Sequence, residues 1–189
     1  MIQVNPKNEI YKSGETLRRT LESHTGLKFI YAGQNIEDIY PLGTISRVSE
    51  TPRGLSFLTL SKDVPAKEEV NQIFEVVYQI SYITTAERTI DFEKSRFSAS
   101  AVLNAIRMSW KLSSFRHLLK TNKTALNVDM NILDIGPIMT FKEEEGEQVQ
   151  MPASIDITIN VLDKITDADP APCVEDPANL PDFVLNLNP

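Results

Sequence analysis

The sequence predicts an α+β fold in which a mainly antiparallel β-sheet is covered by a long helix at residues 97–120 and by a short N-terminal helix. Two stretches of alternating apolar and polar residues, at 73–83 and 154–162, have the period of half-buried strands. In the first stretch, one face carries five large apolar side chains: Phe74, Val76, Tyr78, Ile80 and Tyr82. A third stretch has the period of an amphipathic helix, or of two helices end to end, with a stripe formed by Phe97, Ala101, Ala105, Met108, Leu112, Phe115 and Leu119.

Residues 8–24 suit the shorter helix, with a sparse apolar stripe of Ile10, Leu17 and Leu21. Gly14 weakens the middle of this helix by about 1 kcal/mol relative to alanine, which favours a start at Ser13 as the cap. Gly26 is expected to end the helix in the left-handed conformation. A first strand is predicted at 27–32.

The next elements are predicted to be a hairpin. Residues 41–50 and 55–60 suit two strands, and the intervening 51–54 segment, Thr-Pro-Arg-Gly, is a turn signal. Residues 63–69 are polar and suit a hairpin tip before the strand at 73–83. Four strands joined by short links favour an antiparallel sheet.

The chain after the long helical stretch is predicted to return to strands. Ser113 or Ser114 is a candidate cap for a separate short helix that ends at Lys120, and residues 121–124 break the pattern. Alternation then predicts strands at 126–132 and 138–141. The acidic run at 143–147 suits a hairpin tip, for which a solvated role is the default interpretation.

Composition sets broad limits on the class of protein. The chain has 189 residues, a net charge of −7 and a single cysteine, Cys173. One cysteine excludes an intramolecular disulfide and a cysteine-rich zinc site, and the acidic balance argues against a diffuse nucleic-acid binder. Neither a membrane span nor the apolar core of a signal peptide is visible, so we expect a soluble cytosolic product.

The domain division follows a change in composition. We predict one α+β domain at 1–167, followed by an acidic, proline-rich extended arm at 168–189. Prolines exclude a helix or a central strand in this arm, and no Lys or Arg follows Lys164. The arm has no apolar density until a short segment that contains Phe183, Val184, Leu185 and Leu187. We expect the arm to lie across a neighbouring subunit or a partner.

No sequence motif for catalysis is visible. His24 and His117 lack the spacing of paired metal ligands, and no Gly-rich phosphate loop or nucleophile elbow occurs. Two carboxylate pairs, Asp91 with Glu93 and Asp129 with Asp134, would matter for acid–base chemistry only if they met in a cleft. We therefore predict no enzyme activity, no catalytic residues, no cofactor and no metal.

Charge distribution instead predicts assembly. Positive charge concentrates in the helical stretch, where Arg107, Lys111 and Arg116 are the main candidates, and Trp110 suits a core or subunit contact. Negative charge concentrates in the arm and in the acidic run, whose candidate contact residues are Glu143, Glu144, Glu145 and Glu147. A basic face and acidic segments on one chain suggest head-to-tail contact between copies.

The order of elements resembles a known family. A short helix and antiparallel strands precede 77–83 (Val-Tyr-Gln-Ile-Ser-Tyr-Ile), and the helical stretch with its second piece at 115–119 precedes the strand at 154–159 (Ser-Ile-Asp-Ile-Thr-Ile). Gln34-Asn35 followed by Pro41 also resembles a short element of the family. Across residues 10–165 this order is similar to that of the neck or tail-terminator proteins of long-tailed bacteriophages, and only the arm departs from it.

The resemblance implies a structural protein of the virion. Such proteins form a ring, expected to be hexameric, that caps the tail tube, terminates its polymerisation and joins the tail to the head connector. In contractile tails they also hold the last ring of sheath protein, and DNA passes through the ring without specific binding. The resemblance therefore implies assembly in the host cytoplasm. Another connector, tube or baseplate protein is the nearest alternative, and a small enzyme or regulatory domain with an acidic pocket is a further one.

Overall fold

A computed structural model describes residues 9–33, 42–60, 62, 67–83, 85–86, 99–140, 143–145, 148–150 and 152–170. The helices of this part of the chain are α1 (Glu9–Thr25), α2 (Ala99–Ser109) and α3 (Ser113–Leu126). Its strands are β1 (Phe29–Tyr31), β2 (Leu42–Leu60), β3 (Lys67–Ile83), β4 (Thr85–Ala86), β5 (Met130–Thr140), β6 (Glu143–Glu145), β7 (Gln148–Gln150) and β8 (Ala153–Pro170).

The strands form two sheets. The large sheet has the order β1-β2-β3-β8-β5, in which only β1 and β2 run parallel and every other pair is antiparallel. The small sheet has the order β4-β7-β6 and is antiparallel. The predicted α+β class with a mainly antiparallel sheet is therefore confirmed, and the β1–β2 pair makes the large sheet mixed.

The core lies between one face of the large sheet and the helices. Directly opposed pairs on the two central strands, such as Tyr78 with Ile157 and Ile80 with Ile155, are buried. Opposed residues of antiparallel strands share a face, so the two alternating runs read from the sequence form one apolar surface. Helix α2 adds Leu103 to this core, and α3 adds Phe115.

Helix α1 begins earlier than Ser13. Its predicted stripe is buried, and so are Ser13, Thr16 and Thr20 on the same face. Each of these hydroxyls donates a hydrogen bond to a carbonyl one turn back in the helix, which removes the cost of burying it. Ser13 is thus an interior residue, whereas Gly26, with φ of +70°, ends the helix as predicted.

Gly14 is explained by close packing. A Cβ at this position would lie 3.1 Å from the Tyr78 ring and 3.2 Å from the Tyr31 hydroxyl oxygen. The Tyr78 hydroxyl donates to the carbonyl of Ile10, at 2.7 Å. Glycine therefore allows α1 to sit directly on the sheet, and its weaker helix propensity is offset by this contact.

The predicted hairpin at 41–61 is wrong, because β2 is one strand of 19 residues. It pairs with β3 on both sides of the predicted turn, Arg53 with Ile73 and Phe57 with Asn71, and the register shifts between these pairs. Gly54, with φ of +71°, lies in this irregularity. A turn signal therefore produced a bulge within a long strand, since the partner strand continues past it.

The single long helix at 97–120 is also wrong. Residues 110–112 separate α2 from α3, which gives the two-helix arrangement that the sequence left open. Helix α3 starts after Leu112 and continues to Leu126, past the predicted end at Lys120 and through the predicted break at 121–124. Leu112 takes the capping position in place of Ser113 or Ser114, without a side-chain cap.

The face of α2 that packs on the sheet differs from the prediction as well. Its buried residues are Ala99, Val102, Leu103, Ile106 and Ser109. Ala105, Met108 and Leu112 from the predicted stripe are exposed, whereas Phe115 and Leu119 pack as expected. An apolar stripe with helical period thus faces outward on α2.

The arm was predicted to start at residue 168, but β8 continues to Pro170, which pairs with Lys67. Beyond Val161, strand β8 no longer pairs with β5. Among the described residues it is therefore an edge strand at Pro170, and edge strands tolerate proline. Residues 171–189, including the Phe183–Leu187 segment, lie outside the described residues, as do Phe97, Gln34 and Pro41.

Candidate assembly surfaces

The first surface is a projecting three-stranded ribbon, which we define as residues 53–60 of β2, 67–73 of β3 and 162–170 of β8. Every residue of β2 from Arg47 to Leu60 is exposed. Helix α1 reaches the base of the ribbon on β8, where the backbone N–H of Glu9 donates to Asp163 Oδ1 at 3.3 Å. The three strands nevertheless remain paired along their length. The ribbon is thus paired β-structure whose β2 strand is not covered by any helix among the described residues, although Asn71 of β3 is buried in it.

Apolar side chains form a row across the ribbon. Leu58 pairs with Val70, which pairs with Ile165, so the three lie side by side on one face. They are 62%, 44% and 51% exposed, respectively. Alternation along β3 places this row on the same face as the buried Val76 and Tyr78. Contiguous exposed apolar surface of this kind marks interaction sites in soluble proteins.

The ribbon also has open edges. Among the described residues, β1 pairs with β2 only at 43–45, so the outer edge of β2 from Ser46 to Leu60 has no partner strand. On the opposite side, pairing of β5 with β8 begins at Val161. Unpaired N–H and C=O groups on a long edge strand are a ready template for another strand.

The second surface is basic and lies on α2 and α3. The sequence from Ala99 to Val128 contains no Asp or Glu. We define the basic surface as the exposed residues Arg107, Lys111, Arg116 and Lys120, together with the exposed Met108 and Leu112. The first turn of α3 holds no carboxylate and its N-cap has no side-chain hydrogen bond, so the helix dipole adds to the positive potential.

Most of these cations have no acidic partner within the described residues. Lys111 lies over the half-buried Trp110, with its Nζ 5.5 Å from the ring centroid. In the described part of the chain, the neighbouring Lys123 is the cation of α3 that approaches a carboxylate, at 3.9 Å from Asp129. Met108 and Leu112, at 71% and 54% exposed, lie among them. The surface therefore combines uncovered apolar groups with unneutralised positive charge.

Elsewhere a shallow depression of about 370 Å³ lies between α1 and β1 and contains Glu15, Arg18 and Tyr31. Arg18 donates two hydrogen bonds of 2.8 Å to the Glu15 carboxylate, which lower the pKa of Glu15 from 4.5 to about 2 with help from Arg19 and against the effect of burial. Burial raises the pKa of Tyr31. A carboxylate held ionised in this way is a poor proton carrier near neutral pH.

The same groups tie α1 to β1. Arg18 is 2.8 Å from Glu22, whose Oε1 accepts a hydrogen bond from the backbone N–H of Phe29. Tyr31 donates to Glu15 at 3.4 Å. This network therefore holds the helix against the sheet edge. The spacing of the charges on α1 is the signal that could have revealed it.

The other chemical candidates do not form a site. Asp129 and Asp134 are exposed, the first just before β5 and the second within it. Five residues of extended chain separate them by about 17 Å, so they do not meet. His24 packs edge-on against Phe115 and His117 is exposed. No group of three metal-ligating side chains occurs among the described residues.

The acidic candidates are only partly described. Glu143, Glu144 and Glu145 form β6, an edge strand of the small sheet, rather than a turn. Glu147, Asp91 and Glu93 lie outside the described residues. Within the described part of the chain, no helix is both long and apolar enough to cross a membrane.

Comparison with known proteins does not assign the chain to a family. No protein-family model matches the chain, and no curated protein matches it at a significant level of similarity.

Proposed function

We propose that this chain is a structural protein that forms a ring at the neck of a long-tailed bacteriophage. The ring, of six copies, caps the tail tube, stops its polymerisation and joins the tail to the head connector. The proposal combines the order of elements that resembles the tail-terminator family with surfaces suited to self-assembly. It places the protein in the virion, with tube, connector and, in contractile tails, sheath proteins as partners.

The ribbon is the observation that carries the proposal. A fold that worked alone would gain nothing from three paired strands that extend past its helices and expose Leu58, Val70 and Ile165. A neighbouring copy can cover this row and complete the open edge of β2. A head-to-tail contact repeated from copy to copy gives a ring when its rotation closes.

The described residues favour assembly over chemistry. The carboxylate with the strongest pKa shift, Glu15, is neutralised by Arg18 and Arg19 and links two elements of the fold. The acidic run at 143–147 supplies negative charge that would repel phosphates if it faced a DNA channel, and it is a candidate channel or docking surface. In this proposal the protein is not an enzyme and needs no cofactor.

Two experiments test the proposal. Light scattering after size-exclusion chromatography, with negative-stain images, should show closed rings of about six copies, whereas a strictly monomeric chain would contradict it. Images of phage particles made without the protein should then show overlong or headless tails. Tailless heads or missing baseplates would instead indicate a connector or baseplate role, and wild-type particles would rule out both.

A further inference from the structure

We propose that the basic surface on α2 and α3 binds the acidic, apolar segment at 171–189 of a second copy of this chain. The inference deepens the self-assembly part of the proposed function and rests on that part alone, not on a place in a phage. Four observations carry it: the composition of the surface, the composition of the segment, the reach of the chain, and the direction of the ribbon.

The surface requires an occupant that is both acidic and apolar. Arg107, Arg116 and Lys120 have no carboxylate partner in the described part of the chain. Met108 and Leu112 expose large apolar groups between them. A purely acidic segment would leave these apolar groups uncovered, and a purely apolar one would leave the cations unpaired.

The segment at 171–189 has that combined composition. It holds Glu175, Asp176 and Asp182 and no Lys or Arg. Directly after Asp182 come four large apolar residues within five positions: Phe183, Val184, Leu185 and Leu187. The acidic run at 143–147 has carboxylates but only one glycine beside them, so it matches the charge of the surface and not its apolar stripe.

The reach of the chain favours a second copy. Pro170 pairs with Lys67 at the tip of the ribbon, whereas α1 ends beside Phe29, whose neighbours across the sheet are Gly43 and then Tyr82. Fifteen strand residues separate the level of Lys67 from that of Tyr82, a distance of roughly 50 Å.

The α2–α3 junction of the basic surface lies at this far end, because Phe115 of α3 packs on His24 in the last turn of α1. From there α3 runs back along α1, with Asn122 donating to Thr20. Thirteen residues from Pro170 to Phe183 extend to at most about 45 Å. To place Phe183 at the far end of its own copy, the segment would have to be fully extended from the tip of the ribbon towards that end. A segment of a second copy has no such restriction.

The direction of the ribbon also favours contact with a second copy. Strand β8 carries the chain outward, away from the helices of its own copy, and its open edge and apolar row are the features proposed to contact a neighbour. The segment follows that strand directly. A ribbon that reaches a neighbouring copy therefore delivers residues 171–189 to the neighbour's surface.

Cross-linking in the full-length chain tests the inference. The single cysteine allows a specific label, and Cys173→Ser with Asn186→Cys moves it between two leucines of the segment. A photoreactive thiol reagent at position 186, in a mixture of ¹⁵N-labelled and unlabelled chains, should yield cross-links to residues 99–128 that join light with heavy peptides. Cross-links confined to chains of one isotope, or directed to the ribbon or to the small sheet, would overturn the proposal.

A matched pair of double variants tests specificity. Lys111→Glu with Leu112→Ser removes one cation and one apolar group from the basic surface, and serine is a favoured residue at the N-cap position that Leu112 occupies. Lys28→Glu with Leu133→Ser makes the same two chemical changes at exposed positions elsewhere. We expect roughly tenfold fewer cross-links in the first and less than about twofold change in the second.

The remaining outcomes are also decisive. Equal loss in both variants, or no loss in either, would overturn the inference. Binding of duplex DNA that depends on Lys111, without cross-links to 99–128, would assign the surface to nucleic acid and overturn it as well. Electron microscopy of the same samples separates it from the proposed function: cross-links without rings would defeat the ring, and rings without these cross-links would defeat the segment contact.

Discussion

Strands β3 and β8 run through two regions of the molecule that share an alternating pattern and differ in what covers them. Between Val76 and Tyr82, β3 packs its apolar residues under the helices and they are buried. Between Lys67 and Ile73 the same strand continues with Val70 exposed on the same face. The difference shows that pairing with neighbouring strands is enough to form a strand, whereas a core also needs a layer of helices over the sheet. One strand can therefore be paired along its length and buried along only part of it.

Isoleucines on β8 give the strongest way to test this comparison. Ile157 is buried against Tyr78, whereas Ile165 is half exposed beside Val70. We expect Ile157→Ala to lower the free energy of unfolding by about 2–5 kcal/mol, because it leaves a cavity in the core. The matched change Ile165→Ala should cost no more than about 0.5 kcal/mol in the isolated subunit.

Urea denaturation at protein concentrations low enough to keep the subunit monomeric measures both values. Similar losses for the two variants would show that the ribbon is covered by part of its own chain, and the distinction between the two regions would fail.

Association between copies is the next largest effect. Leu58→Thr with Ile165→Thr places β-branched threonine, which suits strands, at both positions and removes two of the three apolar side chains of the exposed row. If a neighbouring copy buries each side chain, at about 1.5–3 kcal/mol each, the dissociation constant between copies should rise at least about tenfold.

Leu133→Thr on β5 is the control, because this leucine is also an exposed strand residue and lies outside the ribbon. A dilution series followed by light scattering compares the variants. The same shift in both would mean that the ribbon has no special part in self-association.

Two glycines of β2, Gly43 in the packed region and Gly54 in the ribbon, allow the backbone packing of the two regions to be compared. A Cβ at Gly43 would lie 2.3 Å from the Phe29 ring, which is buried, so that ring would have to move. A Cβ at Gly54 would meet nothing within 4 Å, and only its φ of +71° opposes a side chain.

We therefore expect Gly43→Ala to cost about 1–3 kcal/mol of stability by overpacking and Gly54→Ala about 1 kcal/mol through the backbone alone. Thermal unfolding, followed by circular dichroism, ranks the two. A larger loss at Gly54 would contradict the packing seen at Gly43.

The sequence predicted the paired strands of the core better than it predicted the helices that cover them. Alternation identified the core strands correctly, because the buried pairs of Val76 with Ile159, Tyr78 with Ile157 and Ile80 with Ile155 all follow it. Alternation along the strands could not show which helix face covers the sheet. Helix α2 has two apolar stripes, one through Val102 and Ile106 and one through Ala105 and Met108, and only the position of the sheet decides which is buried.

The wrong hairpin and the missed apolar row both depend on long-range strand pairing. The 51–54 segment has the composition of a turn, but β3 pairs on both sides of it, and this partner is invisible in the local sequence. Leu58, Val70 and Ile165 lie far apart in the chain, so their common row could not be read before the register was known. The exposed cations at 107, 111 and 116 were accessible to sequence reasoning, because a helical stretch without carboxylates stands out in the composition.

Ion pairs give the smallest and last test of the comparison. In the packed region, Arg18 and Arg19 lower the pKa of Glu15 from 4.5 to about 2. At the base of the ribbon, the more exposed Arg53 pairs with Glu75, two residues beyond the ribbon on β3, at 2.6 Å. A carboxyl group whose pKa is lower in the folded state stabilises the fold above its unfolded pKa, and that contribution is lost as the pH falls through the folded value.

Glu15→Gln should therefore reduce stability at pH 7 by roughly 1 kcal/mol, and the gap from the unsubstituted chain should close as the pH falls from about 4.5 to 2. Glu75→Gln should change stability at pH 7 by less than about 1 kcal/mol, since exposed ion pairs contribute little. Urea midpoints measured from pH 7 to pH 2 follow both variants. A gap for Glu15→Gln that persists undiminished at pH 2 would show that its carboxylate charge is not what joins α1 to β1, and that shape alone holds this corner of the packed region.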